Sequence, residues 1–100
     1  MKKHTDSELL RLAFKAWAPS ENYTRMVNDA GYDYWNPLKD DGQALRLAVR
    51  LNLLVQIRNR MVVVTDENGK QLDFRQHKDD PYAATRFAIV RAAAEIGAKL

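Results

Sequence analysis

Three short segments of strand character lie close together in the chain, and they constrain its fold more than any other feature. They read LLVQI at 53–57, MVVVT at 61–65 and QLDFR at 71–75, and each contains β-branched or aromatic residues. Turn-forming residues at 58–60 and 66–69 separate them, which predicts two tight hairpins. The sequence therefore predicts a three-stranded antiparallel meander. Its middle strand is apolar at four consecutive positions, which predicts cover on both faces of the sheet.

The residues before the strands predict a first helix and a long connection. Thr5 and Glu8 have the spacing of a capping box, and the residues that follow are apolar at helical spacing until Pro19 ends the helix. Residues 19–39 show no sustained periodicity, although TRMVNDAG predicts a brief helical turn that ends at Gly31. A connection of this length in a small domain is either functional or contains a short element.

Two further helices flank the strands. One begins at Asp40 or Asp41, where a carboxylate can accept hydrogen bonds from first-turn N–H groups, and it ends at Asn52. The other begins with Asp80 as its N-cap and ends before Gly97, which is predicted at the C′ position. The apolar stripe of this last helix consists of Ala83, Phe87, Val90 and Ala94.

Length and composition indicate one globular domain, because the chain has 100 residues of which 46% are apolar. We expect an α+β fold over residues 1–100, in which the meander packs with three main helices in helix–sheet–helix layers, in the order α-α-β-β-β-α. Residues 1–5 are expected to be flexible.

The cysteine count and the hydropathy pattern predict a cytoplasmic protein. The chain has no cysteine, which excludes disulfides and zinc–thiolate sites and suits a reducing compartment. No apolar run is long enough for a signal peptide or a membrane span, so no contact with a membrane is predicted.

Three segments carry a resemblance to a known family. SELLRLAFKAW, YWNPLKDDGQALRLAVRL and DPYAATRFAIVRAAAEIG resemble the phage ABA sandwich domain family of small bacteriophage and prophage proteins. The sequence departs from the family pattern at Ala16-Trp17, where a Gly-Trp pair is usual, and at Asn36-Pro37-Leu38, where a Tyr-Ser-Thr run is usual. The resemblance implies a sheet layered between helices and a phage-related origin in a bacterial host. It transfers no catalytic residue.

The sequence gives no positive signal for catalysis. Asp40-Asp41 and Asp79-Asp80 are adjacent pairs at predicted helix starts, where capping explains them better than a metal site does. His4 and His77 have no partner at a spacing that identifies a nucleophile or a metal site. The glycines occur singly, so no phosphate-binding loop is predicted. We therefore predict that the protein is not an enzyme and has no cofactor or metal site.

Basic residues are concentrated between positions 39 and 60, where five basic side chains stand against two acidic ones. Arg46 and Arg50 lie one turn apart on the polar face of the second helix, and Arg58 and Arg60 bracket the first hairpin. These four arginines are candidate binding residues for phosphate or for an acidic protein surface. The alternative is a solvated face whose arginine stems cover apolar surface.

An aromatic cluster of Tyr32, Tyr34 and Trp35 is the second candidate binding site. Amphipathic aromatic residues dominate interface hot spots, so the cluster can be a stacking platform or a protein-binding anchor. It can also be a plug that holds the long connection over the end of the sheet. We favour the plug for Trp35, which lies two residues before Pro37, and leave Tyr32 and Tyr34 open.

The leading hypothesis is a small phage or prophage accessory protein that acts as a protein-interaction module. Its partner would be a host protein, a phage protein or a second copy of the chain. A nucleic-acid-binding protein that uses the basic helix face is the alternative, and an enzyme comes third.

Overall fold

The computed structural model describes residues 4–31, 34–77 and 79–100. Within them lie α1 (Asp6–Trp17), α2 (Tyr23–Ala30), α3 (Asp41–Arg50), β1 (Leu54–Arg58), β2 (Met61–Thr65), β3 (Gln71–Gln76) and α4 (Pro81–Ala98). The predicted α+β class with an antiparallel meander is confirmed. The added element is α2, because the brief turn predicted in TRMVNDAG is a helix of eight residues.

Each of these helices begins at a side chain that caps its first turn. Thr5, Asn22, Asp40 and Asp80 each accept a hydrogen bond from the backbone N–H three residues later. The donor–acceptor distances lie between 2.8 and 3.2 Å. Asp40 and Asp80 therefore act as helix caps, as the sequence predicts.

Of the N-terminal residues 1–5, which are expected to be flexible, His4 and Thr5 both contact Glu8 of α1. Thr5 forms a capping box with Glu8, and the Nδ1 atom of His4 lies 3.0 Å from the Oε2 atom of Glu8. Residues 1–3 lie outside the described residues.

The cap at Asp80 can be tested against its neighbour Asp79. Asp80→Ala removes the acceptor of the Ala83 N–H, which lies 3.0 Å away, and should lower the free energy of unfolding by about 1 kcal/mol. Asp79→Ala removes the same charge outside the cap and should cost less. Denaturant unfolding of both variants measures the difference, and equal costs would contradict the capping role of Asp80.

The three strands form one antiparallel sheet in the order β1-β2-β3. The first turn joins Arg58 to its partner Met61, and Arg60 in that turn has a φ of 61°. The second turn is held by the side chain of Asp66 and contains Gly69 with a φ of 87°. A positive φ favours glycine and tolerates few other residues, so Gly69 suits its position in the turn.

Helices cover one face of this sheet. Val62 and Val64 are fully buried, whereas the alternate residues Met61, Val63 and Thr65 are partly exposed. The predicted cover on both faces of the middle strand is therefore wrong. Burial alternates along β2 as in a strand with one covered face. The sequence does not show this alternation, because methionine and valine also occupy the face that no helix covers.

Helix α4 lies at the centre of the domain. It packs against β2 and β3 on one side and against α1 and α3 on the others. Ala88, Ile89 and Val90 are buried consecutively, as is the run Ala92, Ala93 and Ala94, so α4 is enclosed on several sides. α4 therefore lies directly on the sheet, and α1 and α3 pack against α4.

Gly97 lies inside α4 and is not the predicted C′ residue, because the helix continues to Ala98 and its C-cap is Lys99. Gly97 is buried where α4 crosses α1. A Cβ atom at Gly97 would lie 1.8 Å from the carbonyl oxygen of Leu12. The glycine is therefore required for close helix packing.

We expect Gly97→Ala to destabilise the protein by about 1–3 kcal/mol, because the added methyl group forces α1 and α4 apart. Intrinsic helix propensity acts in the opposite direction, since alanine is better than glycine by about 1 kcal/mol inside a helix. The sign of the change in denaturant midpoint decides between the two effects. An unchanged or increased midpoint would show that α1 does not pack closely at this position.

Candidate functional site

Trp35 is a core residue. Its side chain is 7% exposed, and its ring lies 5.3 Å from that of Phe14 in an edge-on arrangement and 6.2 Å from that of Trp17. These contacts fix the connection between α2 and α3 onto α1. Trp35 therefore anchors the connection, but the ring contacts that hold it are with α1 rather than with the end of the sheet. Its burial leaves little surface for it to act as a binding anchor.

The Trp-Asn-Pro segment is also fastened to α3 by hydrogen bonds. The Asn36 N–H donates to the side-chain oxygen of Gln43, and the Gln43 side-chain nitrogen donates to the Tyr34 carbonyl at 3.4 Å. Pro37 is fully buried. The segment is thus a structural joint between α1 and the first turn of α3.

Replacing Trp35 and its neighbour Tyr34 separates the structural role from a binding role. Trp35→Ala removes a buried aromatic ring and should lower the free energy of unfolding by about 3–5 kcal/mol. Tyr34→Ala removes a side chain that is 67% exposed and should change it by less than about 0.5 kcal/mol. Urea unfolding measures both values. A well-folded Trp35→Ala protein of near-native stability would contradict the plug.

The candidate binding residues from the sequence lie in three separate places. Arg46 and Arg50 are exposed on α3, and the Arg50 guanidinium lies 4.7 Å from the centre of the Trp17 ring. Arg58 and Arg60 lie at the β1–β2 turn. This turn is at the opposite end of β1 from the short connection that joins α3 to β1. The length of β1 separates this turn from that connection by roughly 14 Å.

Of the two tyrosines, Tyr34 lies in the α2–α3 connection with its ring exposed. Tyr32 lies outside the described residues.

An apolar groove lies between α3, β1 and the first turns of α4, and we call it the β1 groove. It has a volume of about 640 Å³. Three of its side chains are largely exposed: Leu45 at 63%, Ile57 at 61% and Tyr82 at 70%. The remaining apolar lining consists of Ala44, Ala48, Val55, Pro81 and Ile89.

An ion pair bounds the β1 groove. The Arg86 Nη1 atom lies 2.6 Å from the Asp41 Oδ1 atom, and the Arg86 Nε–H donates to the Leu38 carbonyl at 2.8 Å. Arg86 thereby ties α4 to α3 and to the connection that precedes it. Sequence analysis missed this residue, because its partners lie 45 and 48 positions away and no local pattern indicates them.

The free edge of β1 borders the same groove. β1 pairs with β2 on one side, and no strand within the described ranges pairs with its other side. Val55 and Ile57 contribute side chains to the groove from this edge strand. The site thus combines an exposed apolar surface with a strand edge, which are the two elements of a protein-binding surface that recognises an extended segment.

Groups with shifted pKa values lie elsewhere in the described chain. Burial raises the pKa of the Asp73 carboxyl. A hydrogen bond with His4 lowers the pKa of Glu8, and one with Lys70 lowers the pKa of Lys99. The β1 groove does not include these groups, and most of its lining is apolar.

Within residues 4–31, 34–77 and 79–100, no group of three or more histidine, cysteine, aspartate or glutamate side chains could hold a metal ion. Among the same residues, no helix has the length and apolar character needed to cross a membrane.

Comparison with known proteins adds no assignment, because the chain matches no family model, no curated protein and no solved structure.

Proposed function

We propose that the protein is a protein-interaction module that binds its partner in the β1 groove. The observation that carries this proposal is the exposure of Leu45, Ile57 and Tyr82 around one apolar groove. Burying a leucine or isoleucine side chain stabilises a complex by about 1.5–3 kcal/mol. Covering the groove therefore provides a driving force for association.

The composition of the groove suits a protein partner. Its centre is apolar, and the Asp41–Arg86 ion pair lies at its border. Protein interfaces commonly have an apolar centre and a polar rim, and tyrosine is enriched among their hot spots. Tyr82 projects from the first turn of α4 and is the natural anchor residue.

The arrangement of the arginines gives less support to nucleic-acid binding. The Arg50 guanidinium lies over the Trp17 ring, which matches the alternative that arginine stems cover apolar surface. Arg58 and Arg60 lie at the far end of β1 from the α3 connection. A phosphate backbone would have to span these separate positions.

The proposed phage or prophage origin rests on the resemblance of the N-terminal, central and C-terminal segments to the phage ABA sandwich domain family. A bacterial cytoplasm is the setting that this origin implies for the interaction.

Photo-crosslinking tests the proposed function. We expect a photoreactive phenylalanine analogue at Leu45 or Tyr82 to give the same discrete protein adduct in the native host, because both positions border the β1 groove. The same analogue at Ser20, which is exposed and does not line the groove, provides the control. Denaturing electrophoresis followed by mass spectrometry identifies the adducts.

A second variant checks that the adduct depends on the groove. Leu45→Glu places a charge in the apolar lining and should abolish the adduct formed from position 82. Adducts that form equally from Ser20, or that persist in Leu45→Glu, would contradict the proposal. Salt-dependent binding of duplex DNA that is lost in Arg46→Ala and Arg50→Ala would replace it by the nucleic-acid alternative.

A further inference from the structure

We propose that a second copy of the chain pairs with the free edge of β1, antiparallel and about a two-fold axis at Gln56, to form a six-stranded sheet. The inference rests on the proposed function, since it names a partner for the strand that borders the β1 groove. Four observations on the described residues carry it: backbone register, side-chain pairing, charge, and the contrast with the other sheet edge.

The backbone groups of β1 favour this register. A two-residue turn is closed by a hydrogen-bonded pair, which here is Arg58 and Met61. Along an antiparallel ladder such pairs alternate with pairs that exchange no hydrogen bonds, so Gln56 bonds to β2 whereas Val55 and Ile57 do not. The N–H and C=O groups of Val55 and Ile57 therefore point away from β2. The Leu53 N–H is already donated to the Ala48 carbonyl, so the available groups centre on Gln56.

The side chains of β1 are self-complementary in this register. An axis at Gln56 places Val55 opposite Ile57 of the second copy, on the face that packs against the helices. Inside each chain, Val55 pairs with Val64 and Ile57 pairs with Val62. The apolar row would therefore continue across the axis and cover Ile57, which a single chain leaves exposed.

Charges at the two ends of β1 are complementary as well. Arg58 and Arg60 lie at one end of β1. At the other end, the Asn52 side chain donates to the Glu67 carboxylate at 3.3 Å. Antiparallel pairing brings Arg58 and Arg60 of each copy toward Glu67 of the other, and it keeps the two Arg58 side chains apart.

The other sheet edge, β3, is protected against pairing. Asp73 and Arg75 of β3 lie opposite Val64 and Val62, so they point to the helix-covered face. Inward-pointing charges are a common device that prevents edge-to-edge association. β1 has no charged residue on that face and no proline. The difference selects β1 as the edge that pairs.

Cysteine substitution tests the register directly, because the chain has no cysteine of its own. Gln56 lies on the proposed axis in a pair without hydrogen bonds, where the two Cα atoms would be about 4.5 Å apart and a disulfide fits. We expect Gln56→Cys to convert almost completely into a covalent dimer under mild oxidation. Light scattering on the unmodified protein should give twice the 11.5 kDa mass of one chain.

Two matched variants control for disulfides that form by random collision between chains. Leu54→Cys is on the same face of the same strand, but the proposed register separates the two copies of this residue by roughly 14 Å. Gln76→Cys is exposed on the opposite edge strand. Both should remain monomeric under reducing-agent-free denaturing electrophoresis. Ile57→Pro removes one N–H group that points away from β2 and leaves the hydrogen bonds between β1 and β2 in place. In a chain without any introduced cysteine, this substitution should convert the dimer to monomer.

The outcomes separate this inference from the proposed function. A protein that is monomeric at every soluble concentration, but gives groove adducts with a different protein, would overturn the dimer and leave the proposed function intact. Equal disulfide formation at positions 54 and 56 would contradict the register, and crosslinking at Gln76→Cys alone would identify the wrong edge. A β1-paired dimer without groove adducts would instead contradict the groove as the binding surface.

Discussion

The packing of α4 against four other elements is the constraint on which the rest of the structure depends. A helix with its side chains is about 10–12 Å across, so neighbours on several sides can approach only where small residues line the contact. The buried residues Ala92–Ala94 and Gly97 supply that lining in the second half of α4. At Gly97 the α1 backbone occupies the space that a Cβ atom would need. The composition of α4 therefore sets the distance between the helices and the sheet.

The first half of α4 determines where α3 lies, and with it the β1 groove. Arg86 binds the Asp41 side chain and the Leu38 carbonyl, while Gln43 on the far side of α3 is held by the Trp-Asn-Pro segment. These contacts fix the orientation of α3 about its own axis. The side that carries Leu45 and Val49 is consequently left exposed beside β1.

Features that depend on neighbours in sequence could be predicted, because a cap or a tight turn involves residues within about four positions. Asp80 as a cap and Asn52, with its φ of 55°, are examples. Gly97 could not be predicted, since a glycine near a helix end suits either a C′ conformation or close packing, and only the position of Leu12 decides. The β1 groove could not be predicted either, because Leu45 and Val49 follow the helical period and nothing in the local sequence shows that they are exposed.

Some apolar side chains at the surface of this domain are covered by arginines of the same chain, whereas those of the β1 groove are not. The Arg75 guanidinium lies 4.3 Å from the centre of the Phe87 ring, and that of Arg50 lies over Trp17, so cationic side chains shield both aromatic rings. At the groove, the nearest arginine is Arg86, whose guanidinium is engaged by Asp41 and the Leu38 carbonyl. Leu45, Ile57 and Tyr82 thus lack the intramolecular cover that the aromatic rings receive. In the proposed complex another protein chain would cover these side chains, and a second copy of β1 would cover part of them in the register that its own hydrogen-bonding groups favour.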